Sequence, residues 1–292
     1  MLFYQYSTIY FLAKNKMRKR VILKKRKQNK PVEFWKKVVF YLLLFSGLVL
    51  TTYHYREALL YYFSFKTDKK FKEDKIAQAR IYQILNKYPD KVVGIDVSHY
   101  QGKIDWSAVT AIDNDFPVKF VFVRASVGNN KVDERFQENW SGAKKYNFIR
   151  GAYHYYRPNE NSVTQARLFI KTVKLQKGDL PPVLDIEKLP KEQSIDSLKI
   201  GLKRWLSLVD AHYKVKPIIY TSERYYTDFL KAEFSEYTFW VANYNFFAEN
   251  LKDDWLFWQF TEKGQIKGIN EKVDINIFNG SIKMLNYITI AN

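Results

Sequence analysis

Pro182-Val-Leu-Asp-Ile-Glu187 is a short apolar run that closes on two carboxylates, and its reading decides the fold. Val, Leu and Ile packed into so few residues, without strict polar alternation, mark a strand buried on both faces rather than a helix. Residues i and i+2 of a strand point to the same side. Asp185 and Glu187 therefore share one face, and Ile186 takes the other. The same texture recurs at 92–97, 118–125 and 149–156 before this run, and at 217–221, 239–244, 256–260 and 274–278 after it. Segments 106–112, 133–146, 163–175, 195–213 and 223–229 read as helices between the earlier runs, and the later connections are short. Alternation of this kind within residues 91–292 predicts an α/β fold, a compact TIM-like barrel. An open doubly wound sheet is the alternative, although no Gly-rich phosphate loop follows the first run.

In a parallel β/α barrel the chemistry gathers at the strands' C-terminal ends. Asp96 stands at the end of the first run, Asp185 and Glu187 at the fourth, and Asp274 in the last. A carboxylate at one strand end is commonplace, and an isolated Asp-x-Glu reads more readily as a solvated strand end capping the following helix. Four carboxylates directed to one rim favour the chemical reading. Two neighbouring carboxylates resist ionising together, which raises the pKa of one of them and supplies a proton donor near neutral pH. Aromatic and amide side chains near the same ends, namely Tyr100, Tyr153, Tyr155, Tyr220, Asn243, Gln259 and Trp258, suit a sugar ligand. His99 and His154 lack a third clustered ligand, so structural histidines are expected and no metal or other cofactor is implied. No G-x-S-x-G elbow is present.

The chain has 292 residues, no cysteine and a formal net charge of +18. Absence of cysteine removes disulfides, thiolate metal sites and a cysteine nucleophile. The charge is not spread evenly: residues 1–37 carry +11, residues 38–90 carry +3, and residues 91–292 only +4. A nucleic-acid-binding face on the main domain is thereby disfavoured, and no nucleic-acid partner is expected.

Residues 38–55, from Val38 to Tyr55, are an uncharged stretch of 18 residues flanked by Trp35, Tyr53 and Tyr55. This is just long enough to span a bilayer's hydrocarbon core, with aromatics at the interfaces. A core helix would not carry such a basic block before it, and a cleaved signal peptide would end at small residues. The exit reads Thr-Thr-Tyr-His-Tyr-Arg56, so an uncleaved single-pass anchor is expected. Residues 1–37 then form a basic cytoplasmic N-terminus, and everything after the anchor is exported across the bacterial cytoplasmic membrane. Met17-Arg-Lys-Arg reads as a more natural start than Met1. Residues 56–90 are a charged linker whose helix, with Ile76, Ile81, Ile84 and Leu85 on one side, is expected to act as a spacer.

Gly94-Ile-Asp-Val-Ser-His-Tyr-Gln-Gly102 with Ile104-Asp-Trp106 resembles the opening of glycoside hydrolase family 25, the lysozymes first known from fungi and phage. Phe122-Val-Arg-Ala-Ser126, Gly151-Ala-Tyr-His-Tyr155, the 182–187 run, Ile219-Tyr-Thr-Ser222, Trp240-Val-Ala-Asn-Tyr244, Trp258-Gln-Phe260 and Val273-Asp-Ile-Asn276 follow in the same order. The resemblance implies a (β/α)5(β)3 barrel. It also implies endo-hydrolysis of the β-1,4 bond from N-acetylmuramic acid to N-acetylglucosamine in peptidoglycan glycan strands. By position, Glu187 matches the general acid and Asp185 the carboxylate that orients the substrate's 2-acetamido group. Asp96 and Asp274 match the other cleft carboxylates. Net retention through the acetamido oxygen is expected, a departure from the usual two-carboxylate scheme. Tyr100 stands where a tryptophan is common, and Asn243 where many relatives carry a larger or charged group.

Two other functions fit the same residues. A catalytically silent wall-binding module would keep the cleft, but losing the acid would be its cheapest change, and the four carboxylates are intact. A chitinase-like glycosidase shares the Asp-x-Glu logic, but Pro182-Val-Leu stands where its longer acidic run would be.

Overall fold

The computed structural model describes residues 30–64, 72–248 and 250–291. Most of the basic N-terminal block, residues 1–29, lies outside the described residues. Helix α1 (Lys30–His54) opens the described chain. Its residues Glu33–His54 are long and apolar enough to cross a membrane, by length and composition, and none of that window is buried within the protein. Helix α2 (Arg56–Ser64) follows. Two compact units divide near residue 60.

The second unit is a closed barrel. Strands β1 (Val92–Val97), β3 (Phe116–Val127), β5 (Ile149–Tyr155), β6 (Val183–Asp185), β7 (Ile218–Ser222), β8 (Phe239–Ala242) and β9 (Phe257–Ile266) run parallel in that order. Strand β10 (Ile269–Phe278) is antiparallel to both β9 and β1 and closes the ring. Two short strands, β2 (Ala111–Ile112) and β4 (Lys131–Val132), pair with β3 outside the ring. Helices α4 (Phe136–Lys145), α5 (Ser162–Thr172) and α6 (Ile195–Tyr213) cover the outside between strands.

Period-two alternation separates two cores. On β3, Val121, Val123 and Ala125 point outward into the layer shared with the helices. Phe120 and Phe122 point inward and join Trp240, Phe257 and Phe278 in a plug that fills the barrel. Phe122 stacks on Trp240 at 4.5 Å between ring centroids. Gly94 and Gly151 make room for this plug, because a Cβ on either would lie 2.4 Å from the ring of Phe120 or Phe122. An aromatic floor results, and Asp96, Asp185 and Gln259 above it are buried.

Three expectations require correction. Residues 106–112 do not form a helix. Asp105 instead bonds Ser107 in a turn, Trp106 is buried against Phe148, and the β-branched stretch that follows ends in β2. The linker helix is no spacer either. Helix α3 (Lys72–Lys87) buries Ile81, Ile84 and Leu85 in the outer core of the barrel. It is pinned by Arg80, which donates to the carbonyls of Phe260, Asn245 and Ala248. Ile76, expected on the same side, is exposed. Finally, β9 and β10 extend past residues 260 and 274 as a hairpin joined at Gly268, where the positive φ of +89° needs glycine.

Candidate active site

Seven parallel strands end at one rim, and β10 starts on its hairpin there and passes down through it. Asp96, Asp185, Glu187 and Asp274 all line a cavity of about 300 Å3 at this rim. Tyr153, Tyr155, Tyr220 and Gln259 share its walls, and Tyr100 lies at its edge, 70% exposed.

Asp96 is held by two amides of fixed orientation. Gln259 Nε2 donates to its Oδ2 at 2.7 Å and Asn276 Nδ2 at 2.8 Å. The oxygen of each amide is already occupied. Gln259 Oε1 accepts from Tyr220 at 2.6 Å and from Tyr244, and Asn276 Oδ1 accepts from the Trp240 indole at 2.8 Å. Neither amide can flip without losing these donors, so both present N–H groups to Asp96. Asp274 sits directly across the β1–β10 ladder from Asp96. Burial, then the charge of Asp96, pushes Asp274 up to about 9, while burial opposed by the amide donors leaves Asp96 at about 6. At neutral pH this pair holds one proton: Asp274 is neutral and donates, and Asp96 is the anion.

The second pair is built on β6. Asp185 is buried, and its Oδ1 meets no hydrogen-bond donor. Burial, then the charges of Glu187 and Asp96, raises its pKa well above the carboxylate range. Ile186 is buried in the outer layer. Its N–H donates to the Tyr220 carbonyl at 3.0 Å, and its own carbonyl accepts from Thr221 at 2.6 Å. Those bonds carry the strand geometry beyond β6 and return Glu187 to the cleft side. Glu187 lies on the solvent side of the cleft. Partial burial raises its pKa, offset in part by a hydrogen bond from Asp185. The shared proton therefore rests on Asp185 and is directed at Glu187.

Arg124 brings a positive charge to the same cavity. Its Nε donates to Asp133 at 2.8 Å, and its guanidinium lies 4.9 Å from the ring centroid of Tyr100. This guanidinium opposes the rise at Asp185. His154 takes no part in the cavity. It is buried between Ser126 and Gln165 and stacked on Trp205, and burial lowers its pKa to about 4. Among the described residues, no group of three or more His, Asp or Glu side chains is arranged to hold a metal ion.

Two expected substrate contacts lie elsewhere. Trp258 is fully buried in the outer core beside Tyr88 and Trp255. It alternates with Gln259, and only one of the two can face the cavity. Asn243 turns its side chain to Glu223 and to the backbone of Asn245, away from the cavity walls. Arg124, Trp240 and Tyr244, which stand at or near strand ends in the sequence, also line the cleft, and Glu262 joins them without having been singled out. Arg124 and Asn276 were legible by parity, each two residues from an inward neighbour. Glu262 was not, because it belongs to the hairpin extension that the sequence left unassigned.

The model of glycosyl hydrolases family 25 matches residues 95–269. The chain belongs to glycosyl hydrolase family 25. YegX of Escherichia coli K12, an uncharacterised protein, is 40% identical over 196 residues, which is 66% of this chain and 71% of that one. Lysozyme M1 of Streptomyces globisporus is 34% identical over 238 residues, 73% of this chain and 79% of its own. The crystal structure of a bacterial lysozyme from Streptomyces coelicolor superposes with a TM-score of 0.61 at 31% identity, covering 68% of this chain and 96% of that one. Helices α1 and α3 of this family 25 chain fall outside the matched residues. So does Asp274, although β10 is needed to close the ring.

Proposed function

We propose that this family 25 hydrolase is an endo-acting muramidase. It cuts the β-1,4 bond between N-acetylmuramic acid and N-acetylglucosamine in peptidoglycan, in wall remodelling or turnover. The observation that carries this reading is the buried Asp185, with an oxygen that meets no donor, beside Glu187 at the mouth of the cleft. Relatives named as lysozymes support it.

Glu187 protonates the glycosidic oxygen as the C1–O bond breaks. Asp185 Oδ1 accepts the N–H of the substrate's 2-acetamido group. That hydrogen bond favours ionised Asp185 and passes the shared proton to Glu187 as substrate arrives. The acetamido oxygen closes on C1, and the resulting positive charge faces the carboxylates of Asp185 and Asp96. Water then attacks C1 and gives its proton to Glu187, the acetamido group reopens, and configuration is retained. Asp274 serves as a neutral donor to Asp96.

The N-terminal helix supports the further reading of a single-pass anchor. With the basic flank inside, the barrel acts outside the bacterial cytoplasmic membrane.

The test is incubation of the protein with purified peptidoglycan, borohydride reduction and mass spectrometry of the new ends. Muramitol ends are expected. Glucosaminitol ends would overturn the bond assignment, and binding without new ends would leave a wall-binding module.

A pH prediction arises from the Asp96–Asp274 pair. Below about pH 6 Asp96 gains a proton, so the rate falls on the acid side. Asp274→Asn replaces one neutral donor with another. It is expected to keep the rate within about tenfold, ~1.4 kcal/mol in the barrier, and to keep the acid limb. A loss as severe as that of Asp96→Asn would show that Asp274 works as an anion.

A further inference from the structure

A second cavity, of about 560 Å3, adjoins the cleft. One wall is helix α3, through Ile76, Ala77 and Arg80, and the other is the β9 extension at 261–263, with Phe246 at one end. Tyr244 and Glu262 line both cavities, so the two hollows meet at these side chains. Helix α3 lies outside the residues that carry the family match.

The groove is rigid, because Arg80 fastens α3 to the carbonyls of Phe260, Asn245 and Ala248. It also presents apolar side chains from both walls. Ile81, Ile84 and Leu85 are buried under α3, but Ile76 is 54% exposed on the groove, and Phe246 across from it is 39% exposed. Apolar faces edged by Glu262 and Lys263 match the chemistry of a pyranose chain, whose C–H faces stack and whose hydroxyl and acetamido groups hydrogen-bond. An endo-acting enzyme necessarily binds a strand that continues beyond the bond it cuts, and this groove is the continuation of the cleft.

We infer that helix α3 builds an outer subsite that holds the glycan strand beyond the catalytic cleft. The inference rests on the muramidase reading for the identity of the strand.

The test measures equilibrium binding by the full-length, detergent-solubilised chain carrying Glu187→Gln, so that turnover does not interfere. Its ligands are long glycan strands freed of stem peptides, the same strands still carrying them, and a tetrasaccharide of the same sugars. Ala77→Phe, which fills the groove, is expected to weaken strand binding about tenfold, equivalent to ~1.4 kcal/mol, and to leave tetrasaccharide binding unchanged. Ile76→Ser, a surface change that cannot disturb packing under the helix, is expected to act in the same direction. Unchanged strand binding in both variants overturns the subsite. So does a loss seen only on strands that still carry peptides, which would make the stem peptide the occupant. Failure of the muramidase reading is registered separately, as an absence of muramitol ends from the unmutated chain.

Discussion

Glu187→Gln is expected to lower kcat on peptidoglycan about a thousandfold, within the range general acid catalysis supplies, with little change in KM. Glutamine keeps the size of the side chain and its reach into the cleft mouth but carries no transferable proton. The unprotonated glycosidic oxygen is then a poor leaving group. Binding should persist, because Glu187 lies on the solvent side and the walls formed by Tyr153, Tyr220 and Gln259 are untouched. In the unmutated enzyme the alkaline limb of the rate reports loss of the proton shared with Asp185. Both groups have raised pKa values, so the rate declines as pH climbs through them, and the residual activity of Glu187→Gln should lose this limb. A variant that retained most of its rate would place the acid elsewhere, with Glu262 the next carboxylate in the cavity.

Much of this site was legible because period-two alternation survives at the strand ends. Parity alone puts Asp185 and Glu187 on one side of Ile186, and the bonds donated by the Ile186 N–H and the Thr221 hydroxyl enforce it. Composition without parity misled. Trp258 is aromatic and beside a cleft amide, yet its neighbour Gln259 takes the inward position, leaving the tryptophan to the outer core. Asn243 fails differently: it follows β8, where the chain turns, and Glu223 captures its side chain. Long-range packing is what a local reading could not reach. Helix α3 has ordinary helical spacing, and nothing in it announces that Ile81 and Ile84 meet β9 nearly two hundred residues later while Ile76 faces the groove. The protonation pattern was half legible. Clustered carboxylates imply a shared proton, but only the β1–β10 register makes Asp96 and Asp274 one pair and leaves Asp185 with Glu187 as the other.

Asp185→Asn is expected to cost roughly a hundredfold or more in kcat, the scale of removing one electrostatic stabiliser from a water-poor site. The substitution keeps shape and burial but exchanges an anion for a dipole at the point where the closing acetamido group develops positive charge. It also removes the group that loads Glu187 with its proton, so the residual rate should show an altered alkaline limb. Rate alone does not separate acetamido participation from simple orientation of substrate. A thiazoline analogue of the N-acetylmuramic acid residue, which imitates the acetamido-closed ring, does separate them. Transition-state and intermediate mimics draw on interactions absent from the ground state. The analogue should bind the unmutated enzyme far more tightly than the open sugar, and Asp185→Asn should lose about a hundredfold of that affinity, ~2.7 kcal/mol. The open sugar should lose much less. Equal binding of the analogue by both proteins would mean that Asp185 does not face the acetamido group. Glu187 would then have to act with a water or enzyme nucleophile from the Asp96 side of the cleft.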